Sequence, residues 1–220
     1  NAQIKAETKV LAEKQSDVAT AKENLDQAEK DVQTAEQTVA NAESALNGTG
    51  LANAENDLKE AQKLMKQGQD FGLLSEAGLP CIADPGNIMV EWAHQNGVKV
   101  VPISGPSSII LALISSGFNG QEFTFNGYLP IDKNQRKSKI QFLESTIQKT
   151  GYTQIFMETP YRNNQLFEDL SKILSPSTKL CVASNINHPT EEFIKTQTIK
   201  DWQKNKPELH KIPTIFVLGR

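Results

Sequence analysis

Large apolar residues recur at every seventh position through the first 46 residues of the chain. From Val18 to Val39 each of them is followed three places later by an alanine. The positions of the larger residues are Ile4, Leu11, Val18, Leu25, Val32, Val39 and Leu46. A heptad with one large and one small seam residue is typical of a coiled coil. The glycines of the NGTG segment at 47–50 interrupt the helix, and a shifted pattern resumes at Leu51. These patterns predict a helical hairpin over residues 1–70, with its turn at 47–50.

The two legs of this predicted arm are unequal in length. At the rise of an α-helix the first could reach ~70 Å and the second ~30 Å, so the outer half of the first leg lacks an intrachain partner. We therefore expect it to pair with another copy of the chain, pack elsewhere or fray. The arm is similar to the alanine-rich coiled coils of Gram-positive surface proteins, with no residues that indicate chemistry.

After residue 70 the pattern changes to alternating strand-like and helix-like segments. Strands are predicted at 71–74, 98–103, 122–129, 153–158, 179–185 and 214–218, with a hairpin-like stretch at 192–199. Helices are predicted at 87–95, 109–116, 133–149 and 162–174. Gly/Pro/Ser turns separate strand from helix, as in units that present free N–H groups at a helix N-terminus. The predicted fold class is therefore α/β, with a mixed sheet.

Composition separates the same two regions. All ten prolines, nine phenylalanines, two tryptophans and two cysteines lie after residue 70. Residues 1–70 hold 8 Lys against 13 acidic residues, a charge of −5, and the remainder carries +2, which gives the total of −3. This balance disfavours non-specific coating of nucleic acid but permits a local basic patch. Cys81 and Cys181 are expected to be reduced, buried thiols, which suits a cytoplasmic protein. The longest apolar run is too short to cross a bilayer, so no membrane partner is expected.

Several motifs then occur in a characteristic order. They are LSEAGLPCIADPG at 74–86, VPISGPSS at 101–108, SGF at 116–118, FNGYLP at 125–130 and FMETPYR at 156–162. Together they resemble the ribosomal RNA small-subunit methyltransferase I family of the tetrapyrrole methylase superfamily, over residues 71–220. Glu76, the ETPYRN segment at 158–163 and the SNINHPTEE segment at 184–192 depart from the usual family pattern and are more similar to a branch found in Bacteroidetes.

The resemblance implies an enzyme that binds S-adenosylmethionine between two α/β domains. The residues that match its cofactor-binding positions are Ser75, Glu76, Ala77, Pro80, Ser107, Ser108, Met157 and Asn185, with His188 in the same last loop as Asn185. Other interpretations remain open for several of them. Glu76 is also compatible with an exposed loop acid, Ser107 with an ordinary helix N-cap, and Met157 with the hydrophobic core.

Basic residues indicate where an RNA substrate could bind. Lys133, Arg136 and Lys137, with Lys139 beside them, suit RNA phosphates, although a solvated helix face has the same composition. Arg162 could hold a phosphate or pair with Glu158, and the pairing is slightly favoured. No Cys/His cluster has metal-ligand spacing, so no metal is expected. The catalytic residues, including any general base, are not identified from the sequence.

The expected domain order is the arm at 1–70, a partial first methylase domain at 71–117 and a second methylase domain at 118–220. The family's first domain opens with a strand that carries a Pro-Leu-Gly-Asn-like motif, and none precedes Phe71. The resemblance therefore implies a methyltransferase acting on ribosomal RNA at a ribose 2′-oxygen, with an incomplete cofactor wall and weak or no binding of S-adenosylmethionine. The expected partners are ribosomal RNA and a second copy of the chain, forming a dimer through the methylase domains or the arm. A fusion or structural protein, with a coiled-coil arm and a non-catalytic α/β head, is the alternative.

Overall fold

The computed structural model describes residue 22 and residues 50–220, with side chains from Leu58 onward. The predicted heptad arm and the hairpin turn at 47–50 therefore lie outside the described residues, apart from the helix that begins at Gly50. By its contacts the chain divides into two compact units. Within the described residues, the first unit holds 50–74 and 86–101, and the second holds 75–85 and 102–220.

The first unit contains two helices. Helix α1 (Gly50–Lys66) confirms the helix predicted after the turn, and helix α2 (Asn87–Gln95) has the predicted bounds. Ala61 and Ala93 are buried. The ammonium of Lys66 lies 5.7 Å from the centre of the Trp92 ring, so the long side chain of Lys66 covers part of the indole.

Two predicted strands of this region are not formed. Residues 71–74 and 98–103 carry no strand assignment, and no backbone hydrogen bond joins them to a neighbouring strand within the described residues. Ile103 is 86 % exposed and Val101 is 64 % exposed. A β-strand needs a neighbour to satisfy its N–H and C=O groups and a covered face to pack against. The apolar, β-branched residues of these segments have neither a neighbouring strand nor a covered face among the described residues.

The second unit is built on a five-stranded mixed sheet. Its strands are β1 (Phe123–Tyr128), β2 (Thr153–Met157), β3 (Lys179–Ser184), β4 (Phe193–Thr198) and β5 (Thr214–Gly219). Their order in the sheet is β1-β2-β5-β3-β4. Strands β1 and β2 are parallel, β5 is antiparallel to both β2 and β3, and β4 is antiparallel to β3. Strands β1, β2 and β3 therefore all end at the same end of the sheet, called the carboxyl end below.

Helices cover both faces of this sheet. Helix α3 (Ser108–Ser116) packs on one face, where Ile109, Ala112 and Leu113 meet side chains of β2, β3 and β5. Helices α4 (Lys133–Thr150), α5 (Asn163–Ile173) and α6 (Ile199–Trp202) contribute to the larger cluster on the other face. Every residue of β5 is buried, as expected for a strand covered on both sides. Each large apolar side chain fully removed from water here contributes about 1.5–3 kcal/mol.

The chain around α3 fixes the direction of that helix. Just after α3, the ring of Phe118 lies against Gly219, where an added Cβ would come within 2.4 Å of Phe118 Cγ, so this position requires glycine. The carbonyl of Asn119 accepts a hydrogen bond of 2.8 Å from Thr153 Oγ1. Both contacts lie at the end of the sheet where β2 begins and β5 finishes. The N-terminus of α3 therefore points toward the carboxyl end.

Helix α4 is capped at both ends. The side chain of Asp132 accepts hydrogen bonds from the backbone N–H groups of Asn134 (3.0 Å) and Gln135 (2.9 Å). Gly151, with φ of 79°, ends the helix in the left-handed conformation. The predicted α/β class is thus confirmed. Helix α3 packs on the sheet of residues 123–219, and the predicted domain boundary at residue 117 stays a prediction.

None of the helices in the described part of the chain combines the length and the apolar character needed to cross a bilayer.

Candidate functional site

The carboxyl end of the sheet brings together residues that are distant in sequence. Met157 ends β2 and is paired with Tyr128, the last residue of β1. Asn185 follows β3 directly. Met157 is half-buried and packs against the apolar cluster beneath α3, so it lies at the boundary between the core and this end of the sheet. Both interpretations of Met157, as core and as site residue, are compatible with that position.

The N-terminus of α3 adds unpaired donors at the same end. Ser107 occupies the N-cap position in an extended conformation, yet its hydroxyl makes no capping hydrogen bond. Ser108 is exposed and begins the helix, whose first turn holds no acidic residue. The free N–H groups and the helix dipole make this end electropositive. It can therefore accept an anionic group such as a carboxylate.

The loop Ser75–Pro85 lies beside the turn that precedes α3. An added Cβ on Gly105 would stand 3.1 Å from Leu79 Cδ2, which shows how closely the loop and the turn approach. The Ser75 hydroxyl donates to the carbonyl of Ala77 (3.0 Å) and accepts from its N–H (3.4 Å), closing a short turn. Glu76 is exposed, and its carboxylate has no ion-pair partner in the part of the chain that the structure describes. Pro80 is half-buried.

Backbone strain concentrates in the two candidate cofactor loops. Cys81 and Ala83 have φ of 68° and 56°, and Asn185 and Asn187 have φ of 47° and 66°. These are four of the five non-glycine residues with positive φ in the described chain. For a residue with a β-carbon this conformation costs roughly 1–2 kcal/mol, and such strain is often found where a ligand is held. The sequence motifs indicated no role for Ala83 or Asn187. Cys81 was expected to be a buried thiol and is only half-buried.

The loop after β3 is closed by its own side chains. The backbone N–H of Asn187 donates to Glu192 Oε1 at 2.6 Å. His188 Nδ1 accepts from the N–H of Glu191 at 3.1 Å, and the N–H of His188 donates to the carbonyl of Asn185 at 2.9 Å. The structure thus gives His188 a part in organising the turn that carries Asn185.

The basic residues of α4 do not form one surface. Lys133 and Lys137 are exposed, but Arg136 is buried. Its Nε and Nη2 donate to Asp169 Oδ2 at 2.8 and 2.7 Å, and its Nη1 donates to the carbonyls of Pro130 and Ile131. The structure therefore does not support the predicted substrate contact of Arg136, because these internal acceptors already engage the guanidinium.

Arg162 is paired with Glu158, which was the favoured of its two interpretations. Arg162 Nη2 lies 2.6 Å from Glu158 Oε1, and the N–H of Thr159 donates to the same oxygen at 2.7 Å. Glu158 is only 5 % exposed. Burial makes this pair sensitive to the loss of either partner, since the remaining charge would be left uncompensated.

The described residues include no cluster of metal ligands, and one of the two thiols is enclosed. Within the described residues, no group of three or more His, Cys, Asp and Glu side chains could hold a metal ion. Cys181 is buried beneath α3, and this burial raises the pKa of its thiol, against a smaller opposing effect of the Thr196 hydroxyl. A neutral, enclosed thiol is a poor nucleophile.

Comparison with known proteins agrees with the motifs. The sequence model of the family described as Tetrapyrrole (Corrin/Porphyrin) Methylases matches residues 4–201, a range that begins within the predicted arm. Ribosomal RNA small subunit methyltransferase I of Thermotoga maritima is 31 % identical, over 70 % of this chain and 68 % of that protein. The proteins of the same name in Vibrio cholerae and Haemophilus influenzae are 37 % and 32 % identical, and the matches cover 62 % and 70 % of this chain. This chain spans only 47 % and 54 % of those two relatives.

A solved structure has a similar fold. The crystal structure of the methyltransferase CobJ superposes with a TM-score of 0.51, covering 74 % of this chain and 70 % of that chain. Its sequence is 15 % identical, so the likeness concerns the fold alone.

Proposed function

Since this chain belongs to the tetrapyrrole (corrin/porphyrin) methylase family, we propose that its second unit is a methyltransferase that uses S-adenosylmethionine. The proposed substrate is ribosomal RNA, after the names of the similar bacterial proteins. The proposed acceptor atom, a ribose 2′-oxygen, is the one that the motif resemblance implies. The main support is the convergence of Met157, Asn185 and the α3 N-terminus at the carboxyl end of the sheet. Open α/β sheets commonly bind ligands at this end.

The residues at this end suit the chemical groups of the cofactor. The free N–H groups of α3, with Ser107 and Ser108, would bind its carboxylate. Glu76 would accept hydrogen bonds from the ribose hydroxyls. Met157 would contact the adenine, with Ala77, Pro80 and Asn185 completing the contacts.

When bound, S-adenosylmethionine supplies a methyl group on a positively charged sulfur. The chain's own residues then position the acceptor and exclude water, because methyl transfer requires alignment of the two reacting atoms. Lys133 and Lys137, exposed at the start of α4, would attract the phosphates of the RNA. We assign no general base.

We further propose that this polypeptide alone binds the cofactor weakly. Glu76 and Ala77 are exposed, and residues 98–103 have no strand neighbour within the described residues. A pocket that leaves much of its ligand in water buries little apolar surface. Water also weakens the electrostatic contacts between the ligand and the protein. The second unit would therefore supply only one side of the cofactor site.

Titration calorimetry with S-adenosylmethionine tests this proposal. We expect weak binding, with a dissociation constant well above the micromolar range. The affinity should fall further in Glu76→Gln. Glu168→Gln is the matched control, because Glu168 is an exposed acid on α5 that pairs with Lys172. A micromolar dissociation constant would contradict the proposal that this polypeptide supplies only one side of the cofactor site. Binding that Glu76→Gln and Glu168→Gln leave equally unchanged would contradict the role of Glu76.

Transfer of tritium from labelled S-adenosylmethionine to small-subunit ribosomal RNA tests the reaction. We expect slow labelling at a high cofactor concentration, retained in alkali-resistant dinucleotides because a 2′-O-methyl group blocks cleavage of the adjoining phosphodiester. Label recovered in mononucleotides after alkaline hydrolysis would indicate a base as acceptor. Absence of both labelling and cofactor binding would favour the alternative of a non-catalytic α/β head.

A further inference from the structure

An exposed tyrosine, for which the sequence motifs indicated no role, lies at the carboxyl end of the sheet. Tyr161 is 70 % exposed. It belongs to the short 3₁₀ turn Pro160–Arg162, which follows β2 and leads into α5. Tyr128, at the end of the neighbouring strand β1, is 53 % exposed. Two large aromatic side chains are thus exposed to solvent at this end of the sheet, one at the end of β1 and one in the turn that follows β2.

Two basic side chains from a distant part of the chain surround Tyr161. The ammonium of Lys211 lies 5.7 Å from the centre of the Tyr161 ring. The ring of His210 lies 6.2 Å away, at 76° to the tyrosine ring. Tyr161, His210 and Lys211 are called the Tyr161 platform below. A cation over one aromatic face is favourable and leaves other parts of the ring free for a further planar group.

The loop that carries the basic residues is fixed to the turn that carries the tyrosine. The N–H of Lys211 donates to the carbonyl of Pro160 at 3.0 Å. The side chain of the fully buried Asn163 donates to the carbonyl of Ile212 at 2.7 Å. Asn164 Oδ1 accepts from the N–H of Leu209 at 2.8 Å. These bonds hold the platform in place before any ligand arrives, which lowers the entropic cost of binding.

The acidic residue closest in sequence to His210 and Lys211 is already engaged in hydrogen bonds. Glu208 Oε1 accepts hydrogen bonds from the side chain of Asn164 at 2.6 Å and from the N–H of His210 at 2.9 Å. These bonds, the one from Asn164 first, lower the pKa of the Glu208 carboxyl. Its charge therefore stabilises the loop conformation that places His210 and Lys211 beside the tyrosine.

We propose that the Tyr161 platform stacks an unpaired base of an RNA strand, with the Lys211 ammonium contacting the adjoining phosphate. An exposed aromatic ring with neighbouring cations is the combination that binds single-stranded nucleic acid, because bases stack on the ring and the cations neutralise the backbone. The proposal rests on the proposed function, since it gives that site the means to hold a nucleotide unpaired near the cofactor. Duplex RNA keeps its bases stacked and would not use the platform.

Fluorescence anisotropy with a labelled, unstructured oligoribonucleotide tests the platform in the full chain. Tyr161→Ala should weaken binding by at least about five-fold, as expected for the loss of one stacked base. Tyr161→Phe keeps the ring and should bind like the unmodified protein. Because Tyr161 is largely exposed, neither change should shift the unfolding midpoint.

Phe142 provides a matched control. It is 60 % exposed on α4, and the ammonium of Lys139 lies 5.3 Å from its ring centre, so it has the same pairing of an exposed ring with a lysine. Phe142→Ala should leave RNA binding unchanged. Equal losses of RNA affinity in Phe142→Ala and Tyr161→Ala would overturn the proposal that the base stacks specifically on Tyr161.

The salt dependence of binding tests the role of Lys211. Lys211→Gln should lower the slope of log affinity against log salt by about 0.7, the value for one phosphate contact on a single strand. Lys211→Arg should restore the slope, and Lys172→Gln, at an exposed lysine of α5 that pairs with Glu168, should leave it unchanged. An unaltered slope in Lys211→Gln would overturn the phosphate contact.

These measurements need no S-adenosylmethionine, so they separate the platform from the proposed reaction. Affinity of Tyr161→Ala equal to that of the unmodified protein would overturn the platform and leave the methyltransferase proposal standing. Absence of RNA binding by the unmodified protein would also overturn the platform, while the calorimetric titration decides cofactor use independently. Equal binding of a duplex competitor would contradict the preference for an unpaired strand.

Discussion

Two strand-like segments of this chain have very different surroundings. Strand β3 (Lys179–Ser184) lies between β5 and β4, and every residue after Lys179 is buried. Residues 98–103 are similarly rich in apolar, β-branched side chains, yet they form no strand and Ile103 is 86 % exposed. A sequence with strand propensity therefore forms a strand only where neighbouring strands and a covered face are present.

The same contrast divides the candidate site. Met157 and Asn185 are attached to strands whose hydrogen bonds and packing are complete. Glu76 and Ala77 are exposed in a loop whose described neighbour is the turn at Gly105. Cofactor groups that depend on the strands should therefore be held more firmly than groups that depend on the loop.

The largest predicted effect concerns Trp202 in the completed region. Its side chain is 1 % exposed, stands edge-on to Phe167 and donates from Nε1 to the carbonyl of Leu180 at 2.9 Å. Trp202→Ala should lower the free energy of unfolding by about 3–5 kcal/mol through the cavity and the lost hydrogen bond. Denaturation in urea measures the change. A loss under about 1 kcal/mol would show that this part of the sheet is not the tightly packed region described above.

A similar loss is predicted for Arg136. Arg136→Ala would leave the carboxylate of Asp169, only 16 % exposed, without its partner, at a cost of about 3 kcal/mol in unfolding free energy. Lys133→Ala is the control, because Lys133 is exposed on the same helix and should change stability by less than about 0.5 kcal/mol. Unchanged stability in Arg136→Ala, together with weaker RNA binding, would restore the substrate role predicted from the sequence.

The two cysteines allow the sheet and the loop to be compared by thiol reactivity, with a smaller expected effect on stability. Cys181 is fully buried in β3, and burial raises the pKa of its thiol, whereas Cys81 is half-buried in the Ser75–Pro85 loop. Cys81 should react with Ellman's reagent in the native protein, and Cys181 only after unfolding. Cys181→Ala removes the late reaction and should cost about 1 kcal/mol in stability. Rapid titration of both thiols in the native state would contradict the burial of Cys181.

The smallest effect is predicted for Ile103. Ile103→Ser should change the unfolding free energy by less than about 0.5 kcal/mol, because the side chain is already in water. Ile155→Ser makes the same substitution at a fully buried position of β2 and should cost several times more. Comparable losses at the two positions would indicate that residues 98–103 pack against another surface in solution.

The sequence predicted most elements of the sheet unit to within one or two residues, because their ends carry local signals. Asp132 caps α4 with its own carboxylate, and Gly151 ends it with a positive φ. Segments 71–74 and 98–103 were predicted wrongly because strand formation depends on a neighbour. Periodicity and propensity within a segment contain no information about that neighbour.

The site was predictable where topology alone places residues. Met157 and Asn185 meet at one end because β2 and β3 run in the same direction. The engagement of Arg136 depends on Asp169, 33 positions away, and the Tyr161 platform depends on residues about 50 positions away. Pairings of this kind are set by tertiary contacts, and the spacing of residues along the chain does not reveal them.

Hydrogen exchange tests the central contrast most directly. Backbone amides of β3 and β5, which are hydrogen-bonded in the sheet, should be strongly protected, whereas the amides of Lys99, Val100, Val101 and Ile103 should exchange at nearly the rate of an unstructured chain. Protection of these four amides equal to that of β3 would contradict the account, because it would require a strand neighbour for residues 98–103.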